Sequence, residues 1–166
     1  KDKLADFLHM TQILDPDIFG VCESWLIEGI LDTQIAHENY KVHRQDRSDK
    51  RGGGLLALIR INYSSEKKPE LKSKEIFGNE FMPIEVKIAK NHIFLFIVAY
   101  RPDSTPLHKF TKNLDFLLTS AFNNGYKNII IVGDFNTRKI SWFPETDRNL
   151  TNEDQQFVNL LYQHGL

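Results

Sequence analysis

Ile129-Ile130-Ile131-Val132-Gly133-Asp134-Phe135-Asn136 decides the fold of this chain. Four aliphatic residues in a row predict a buried strand. Gly133 breaks the run, and a carboxylate and an amide follow two residues apart. Side chains two positions apart on extended backbone share a side, so Asp134 and Asn136 are expected to face the same way. Sheets flanked by helices gather their chemistry at the carboxyl ends of such strands. A second aliphatic run, Ile18 to Cys22, ends in the same manner at Glu23.

At 166 residues with 41% hydrophobic content, the chain is one domain, or part of a larger one, with ample material for a core. Lysine and arginine total 21 against 22 acidic residues. A dedicated nucleic-acid binder usually carries a basic excess, so any such contact has to come from a local patch. The single cysteine, Cys22, excludes an internal disulfide and reads as a buried small hydrophobe. That usage fits an intracellular, reducing compartment. No apolar run reaches membrane-spanning length, and no secretory signal is visible.

Outward from the opening stretch, periodicity predicts a mixed order of elements, α-β-β-β-β-β-α-β-α. Residues 1–14 predict a helix with Leu4, Phe7, Leu8, Met10 and Leu14 on one side, ended by Pro16. Strands are expected at Ile18–Cys22, Tyr40–Arg44, Leu55–Ile61, around Ile84–Ile88 and at Phe94–Ala99, the last two joined by a turn at Lys90-Asn91. Asn62 to Lys74 reads as a polar loop. Thr105-Pro106 is a helix start, Gly125 its C-terminal stop, and Thr151 caps a last helix carrying Phe157, Leu160 and Leu161. Hairpins and crossovers together imply mixed sheets with helices packed outside them.

Glu23 and Asp134, each at a strand end, can share a hard divalent cation through oxygen, and Mg²⁺ typically takes only one or two protein carboxylates. The plainer account is that each acid caps a loop or helix. Tyr100-Arg101-Pro102 closes a third strand, where a hydroxyl and a guanidinium can reach a phosphate oxygen. The alternative is a ring packed on the core edge and an arginine in solvent. Lys41, His43, Arg44, Arg47, Lys50 and Arg51 lie beside Gly52-Gly53-Gly54, which reads as a phosphate-backbone contact or as a solvated loop. The glycines lack the lysine of a phosphate-binding loop. Arg138, Lys139 and Trp142 follow Asn136, with an aromatic ring able to stack on a base or to anchor the loop. Six scattered histidines lack zinc-site spacing, and no serine nucleophile motif is present.

Read in order, these strand ends resemble the endonuclease/exonuclease/phosphatase superfamily, and within it the apurinic-like endonuclease domain of non-LTR, LINE-type retrotransposons. The resemblance rests on Asp17 through Leu26 (Asp-Ile-Phe-Gly-Val-Cys-Glu-Ser-Trp-Leu), Arg47 through the glycines 52–54, Ala99-Tyr100-Arg101-Pro102, and Gly133-Asp134-Phe135-Asn136 with Ser141-Trp142. It implies a four-layer α/β sandwich of two mixed sheets and Mg²⁺- or Mn²⁺-assisted attack of water on a DNA phosphodiester, leaving a 3′-hydroxyl. It implies Glu23 as metal ligand, Asp134 as the residue that orients or deprotonates water, Asn136 as its partner, and Tyr100 as a phosphate contact. Arg47, Arg101, Arg138 and Trp142 are the expected substrate-binding residues. DNA is the expected partner and a nuclear location follows.

The family's first-strand asparagine and its late Asp-His pair are not in this sequence, and His164 sits on the last helix rather than at a strand end. Residues 1–166 therefore read as one partial domain, an excerpt lacking the first strand and the C-terminal strands. As a fragment it is expected to be inactive and poorly stable. The competing expectations are a catalytically dead remnant or binding module, and a phosphomonoesterase or lipid phosphodiesterase of the same fold.

Overall fold

Alternation in one strand sets the layers. In β3 (Leu55–Arg60), Leu55, Ala57 and Ile59 face one way and Leu56 and Leu58 the other, and all five are buried. A strand buried on both faces has to lie between two further layers. The computed structural model describes residues 3–47, 52–75, 78–138, 140 and 150–166, and it places those layers.

Helix α1 (Lys3–Leu14) leads into β1 (Ile18–Cys22), and β2 (Tyr40–Gln45) precedes β3. These strands form an antiparallel sheet in the order β1-β3-β2. Then come β4 (Ser64–Lys67), β5 (Glu80–Ala89), β6 (His92–Tyr100), α2 (Leu107–Asn123), β7 (Ile129–Asp134) and α3 (Asn152–Gln163). The second sheet runs β4-β5-β6-β7, with β7 parallel to β6 and the other pairs antiparallel.

Three cores separate four layers. Between the sheets lie Leu55, Ala57 and Ile59 from β3, Met82, Ile84 and Val86 from β5, and Phe96 and Val98 from β6. Behind the second sheet, α2 and α3 pack Phe110, Leu114, Leu117 and Phe157 on Leu95 and Ile97. Behind the first, Leu56 and Leu58 meet Ile35 and Tyr40, and Phe7 of α1 sits against Phe19 with ring centroids 5.8 Å apart. Removing one such aliphatic side chain from water contributes about 2 kcal/mol. At Gly20 of β1 the sheets come so close that a Cβ would lie 2.8 Å from Val132. That approach brings the end of β1 to the ends of β6 and β7.

The four-layer architecture matches the expectation, with several corrections. Only the second sheet is mixed. The predicted loop 62–74 holds β4, a polar edge strand with Ser65 as its one buried residue, and a short 3-10 turn Pro69–Leu71. Its sequence, Ser-Ser-Glu-Lys, carries no apolar alternation, so pairing with β5 alone makes it a strand. β5 begins at Glu80, four residues before the predicted alternation. A bulge between Lys87 and Ala89 breaks its register near Ile88, which is 49% exposed. Of the predicted apolar side of α1, only Phe7 and Leu8 are half-buried, while Leu4, Met10 and Leu14 are exposed. Helix α2 starts at Leu107 with Pro106 as its N-cap. Gly125 (φ 86°) follows its C-cap, as expected. Thr151 and Asp154 form a reciprocal capping box on α3. β7 is less buried than predicted, with Ile130 48% exposed, because β6 is its one partner among the described residues. No helix among them is long and apolar enough to cross a membrane.

Candidate active site

The site grows from strand register. Glu80 of β5 pairs with Tyr100 of β6, and Tyr100 pairs with Asp134 of β7. Each shares the parity of inward core residues on its own strand, Met82, Val98 and Val132, so the three polar groups form a row on the inter-sheet face. Tyr100 and Glu80 are buried, and Asp134 at the edge strand is exposed.

From the opposite sheet, Glu23 follows the last residue of β1. The Tyr100 hydroxyl donates to Glu23 Oε1. Glu23 and Trp25 both hold left-handed backbone, φ 55° and 53°, a conformation that costs a non-glycine residue about 1 kcal/mol or more and concentrates at functional sites. Burial pushes the Tyr100 phenol above its ordinary range, and the Glu23 hydrogen bond and charge push it further, with Arg47 opposing. It is a protonated donor at neutral pH. The Cys22 thiol is pushed up to about 11, first by burial, with a hydrogen bond from the Asp134 backbone opposing and the charges of Asp134, Glu80 and Glu23 adding to the rise. Cys22 is half-buried and donates to the Ala99 carbonyl at 3.3 Å. The charges of three carboxylates thus reach the Cys22 thiol.

The ends of β6 and β7 are laced together. Arg101 N donates to Asp134 O at 2.9 Å. The Arg101 guanidinium donates to the carbonyls of Phe135 (2.6 Å), Thr105 (2.5 Å) and Asn136 (2.6 Å). Asn136 (φ 50°) donates its side-chain nitrogen to Arg101 O at 2.8 Å and its backbone amide to Asp134 Oδ1 at 3.0 Å. The Asp134–Asn136 turn is therefore tied down before any ligand arrives. Every guanidinium nitrogen of Arg101, expected as a phosphate contact, donates to backbone here, and the residue is 8% exposed.

Arg47 is likewise turned inward, forming an ion pair with Glu80 across the sheets. The rest of the basic stretch divides in the same way. His43 is buried with Nε2 2.8 Å from Ser65 Oγ, Arg44 binds Asp46 and Asp32, and Lys41 donates to Ser65 O. Lys50, Arg51, Lys139, Ser141 and Trp142 lie outside the described residues. Arg138 is exposed and pairs with Asp103 at 2.7 Å. It lines a groove of about 550 Å³ with Asn136, Thr151 and Glu153.

Residues 94–166, from β6 onward, match a family model described as endonuclease-reverse transcriptase. That stretch holds Tyr100, Asp134 and Asn136 but not Glu23. The human Nocturnin catalytic domain with bound sulfate anion matches with a TM-score of 0.57 at 15% identity, over 78% of this chain and 54% of that one. Truncated Caenorhabditis elegans TDP2 matches with a TM-score of 0.55 at 16% identity, over 82% and 57%. Both have the endonuclease/exonuclease/phosphatase fold. This chain has that fold too. D. rerio TDP2 complexed with single strand DNA product matches with a TM-score of 0.50 at 14% identity, over 82% and 56%. The chain spans between 54% and 57% of the length of these solved structures. No curated protein matches it.

Within this endonuclease/exonuclease/phosphatase fold, Glu23, Tyr100 and Asp134 meet at one end of the sandwich, with Asn136 just beyond. Among the described residues, no group of three or more His, Cys, Asp and Glu side chains could hold a metal ion. Two carboxylates suit Mg²⁺, which keeps waters and takes the rest of its shell from substrate phosphate. The donor set here is all oxygen, and Tyr100 occupies one Glu23 oxygen, leaving Oε2. Sequence reasoning overlooked Glu80, although its shared parity with Met82, Ile84 and Val86 was visible. It also gave no role to Trp25, which is 55% exposed beside Glu23 with its ring over Gly52.

Proposed function

We propose that this domain hydrolyses phosphodiester bonds in DNA, as the nicking endonuclease of a reverse-transcriptase-bearing retroelement. One observation carries the reading: the Tyr100–Asp134 register, with the Tyr100 hydroxyl on Glu23, gathers a carboxylate pair and a donor at adjacent strand ends. The match of residues 94–166 to an endonuclease-reverse transcriptase family supports it. So does the DNA product carried by one structural neighbour and the sulfate, a tetrahedral anion like phosphate, carried by another. A chromosomal DNA substrate would place the protein in the nucleus.

Glu23, with Asp134 nearby, would hold Mg²⁺ or Mn²⁺, which when bound stabilises charge developing on the phosphate. Asp134 is exposed and accepts the Asn136 amide, so its carboxylate is oriented yet reachable by water. It takes a proton from the attacking water as the oxygen bonds to phosphorus. The bond from phosphorus to the 3′ oxygen breaks, and that oxygen takes up a proton, leaving a 3′-hydroxyl and a 5′-phosphate. Asn136 fixes the loop that aims Asp134. Tyr100 has one proton to give, so a phosphate oxygen competes with Glu23 for it.

The test is Mg²⁺-dependent nicking of supercoiled plasmid by the protein and by Asp134→Ala. Loss of roughly 10²–10⁴-fold in rate is expected, the range for a positioned acid–base group. Equal nicking by Asp134→Ala sinks the mechanism. No nicking by the protein in its longest natural form sinks the function.

A further inference from the structure

Glu80 begins β5 on the inter-sheet face and is 6% exposed. Both its oxygens face the connection between β2 and β3. Oε2 accepts the Gly54 amide at 2.8 Å, and Oε1 meets the Arg47 guanidinium. That guanidinium occupies the space where a side chain on Gly53 would stand. The carbonyls of the same two glycines continue the chain: Gly54 O accepts the Ser24 amide at 3.1 Å, and Gly53 O accepts the Trp25 amide at 2.9 Å. Ser24 and Trp25 directly follow Glu23, and Glu23 and Trp25 are two of the four non-glycine residues in left-handed backbone among those described.

We propose that the Glu80–Arg47 pair is a strut that holds Gly53-Gly54, through them the Ser24-Trp25 backbone, and so fixes the Glu23 carboxylate where the Tyr100 hydroxyl meets it. Glu80 and Arg47 are positioning residues. The value of this for metal binding rests on the proposed role of Glu23. A buried ion pair is weak evidence for stability alone. A segment in unfavourable backbone, however, stays put only when its surroundings over-determine it, and these contacts supply that constraint. Because a carboxylate one bond-chain away sets the orientation of a metal-binding group, its loss is expected to act like that of other outer-shell partners.

Glu80→Gln keeps an oxygen for the Gly54 amide and removes the charge that holds Arg47. Arg47→Met removes the other end at a more exposed position and guards against a misfolded Glu80 variant. Two readouts are needed: amide hydrogen exchange at Ser24 and Trp25 compared with Ile97 and Val98 in β6, and Mn²⁺ titration. Either variant should speed exchange at Ser24 and Trp25 about tenfold or more, leave β6 unchanged, and weaken Mn²⁺ binding about 10- to 100-fold. In a Glu23→Ala background, Glu80→Gln should weaken Mn²⁺ no further. Unchanged exchange at Ser24 and Trp25 overturns the strut. Equal acceleration in β6 overturns it in favour of a general stability role. A further loss of Mn²⁺ affinity without Glu23 shows direct ligation by Glu80 instead. If the wild-type protein binds no Mn²⁺, the metal role of Glu23 falls, and the exchange data alone decide the strut.

Discussion

The hydroxyl of Tyr100, at the end of β6, donates to the carboxylate of Glu23, just past β1 in the other sheet. One hydrogen bond thus joins the two sheets at the end where the candidate catalytic groups collect.

Tyr100→Phe removes that bond and leaves an exposed carboxylate that water can solvate. A loss of about 1.5–2 kcal/mol is expected, at the low end of the range for a hydrogen bond to a charged group, read by urea unfolding. The phenol's raised pKa also fixes a pH sign. Its contribution to stability is complete below the ordinary tyrosine value of about 10 and is lost as pH rises above that toward the higher folded value. Ultraviolet titration should show Tyr100 ionising late, and the late phase should vanish in Tyr100→Phe. An ordinary phenol titration in the folded protein would contradict the hydrogen bond.

Arg101→Met should cost about 3 kcal/mol or more, because three carbonyls at the β6–β7 junction lose a charged donor together. Unfolding and DNA affinity should be measured side by side. Intact stability with weakened DNA binding would return Arg101 to the role of a phosphate contact.

His43 is held neutral. Burial lowers its pKa to about 4, with Lys41 and then Lys67 adding to the effect. A folded value below the unfolded one means that stability is present above about pH 6.5 and is lost as pH falls toward 4. The slope from this one group is at most about 1.4 kcal/mol per pH unit. Because carboxylates titrate nearby, the measurement is the difference between wild type and His43→Leu from pH 7 to pH 4. Parallel curves would remove the prediction.

Gly133→Ala places a Cβ onto the Ala99 carbonyl, backbone that cannot rotate away. β7 would have to part from β6 and carry Asp134 away from Tyr100. We expect a loss of about 3 kcal/mol and of nicking together. Gly29→Ala, where a Cβ meets nothing within 4 Å, is the control. Similar melting temperatures for the two variants would disprove the close approach.

Much of this was legible from local pattern. The aliphatic runs ending at Glu23, Tyr100 and Asp134, the Thr151 cap and the Gly125 stop are written in a few adjacent residues each, and helix and strand periodicities expose them. β4 was not legible because its residues have no apolar rhythm. Glu80 was missed because the strand was begun at Ile84, and the inward contacts of Arg101 and Arg47 were not legible because a guanidinium looks the same in sequence whether it meets phosphate, carboxylate or backbone.

By itself, the sequence determined which residues end strands, which faces are apolar, and hence a layered α/β sandwich with acids at strand ends. Only the tertiary structure decided which of those ends meet. Register places Tyr100 between Glu80 and Asp134, the close approach at Gly20 brings Glu23 to them, and both arginines turn inward. The physical reason is range: burial patterns act through neighbours along the chain, whereas hydrogen-bond partners for charged groups come from strands dozens of residues away.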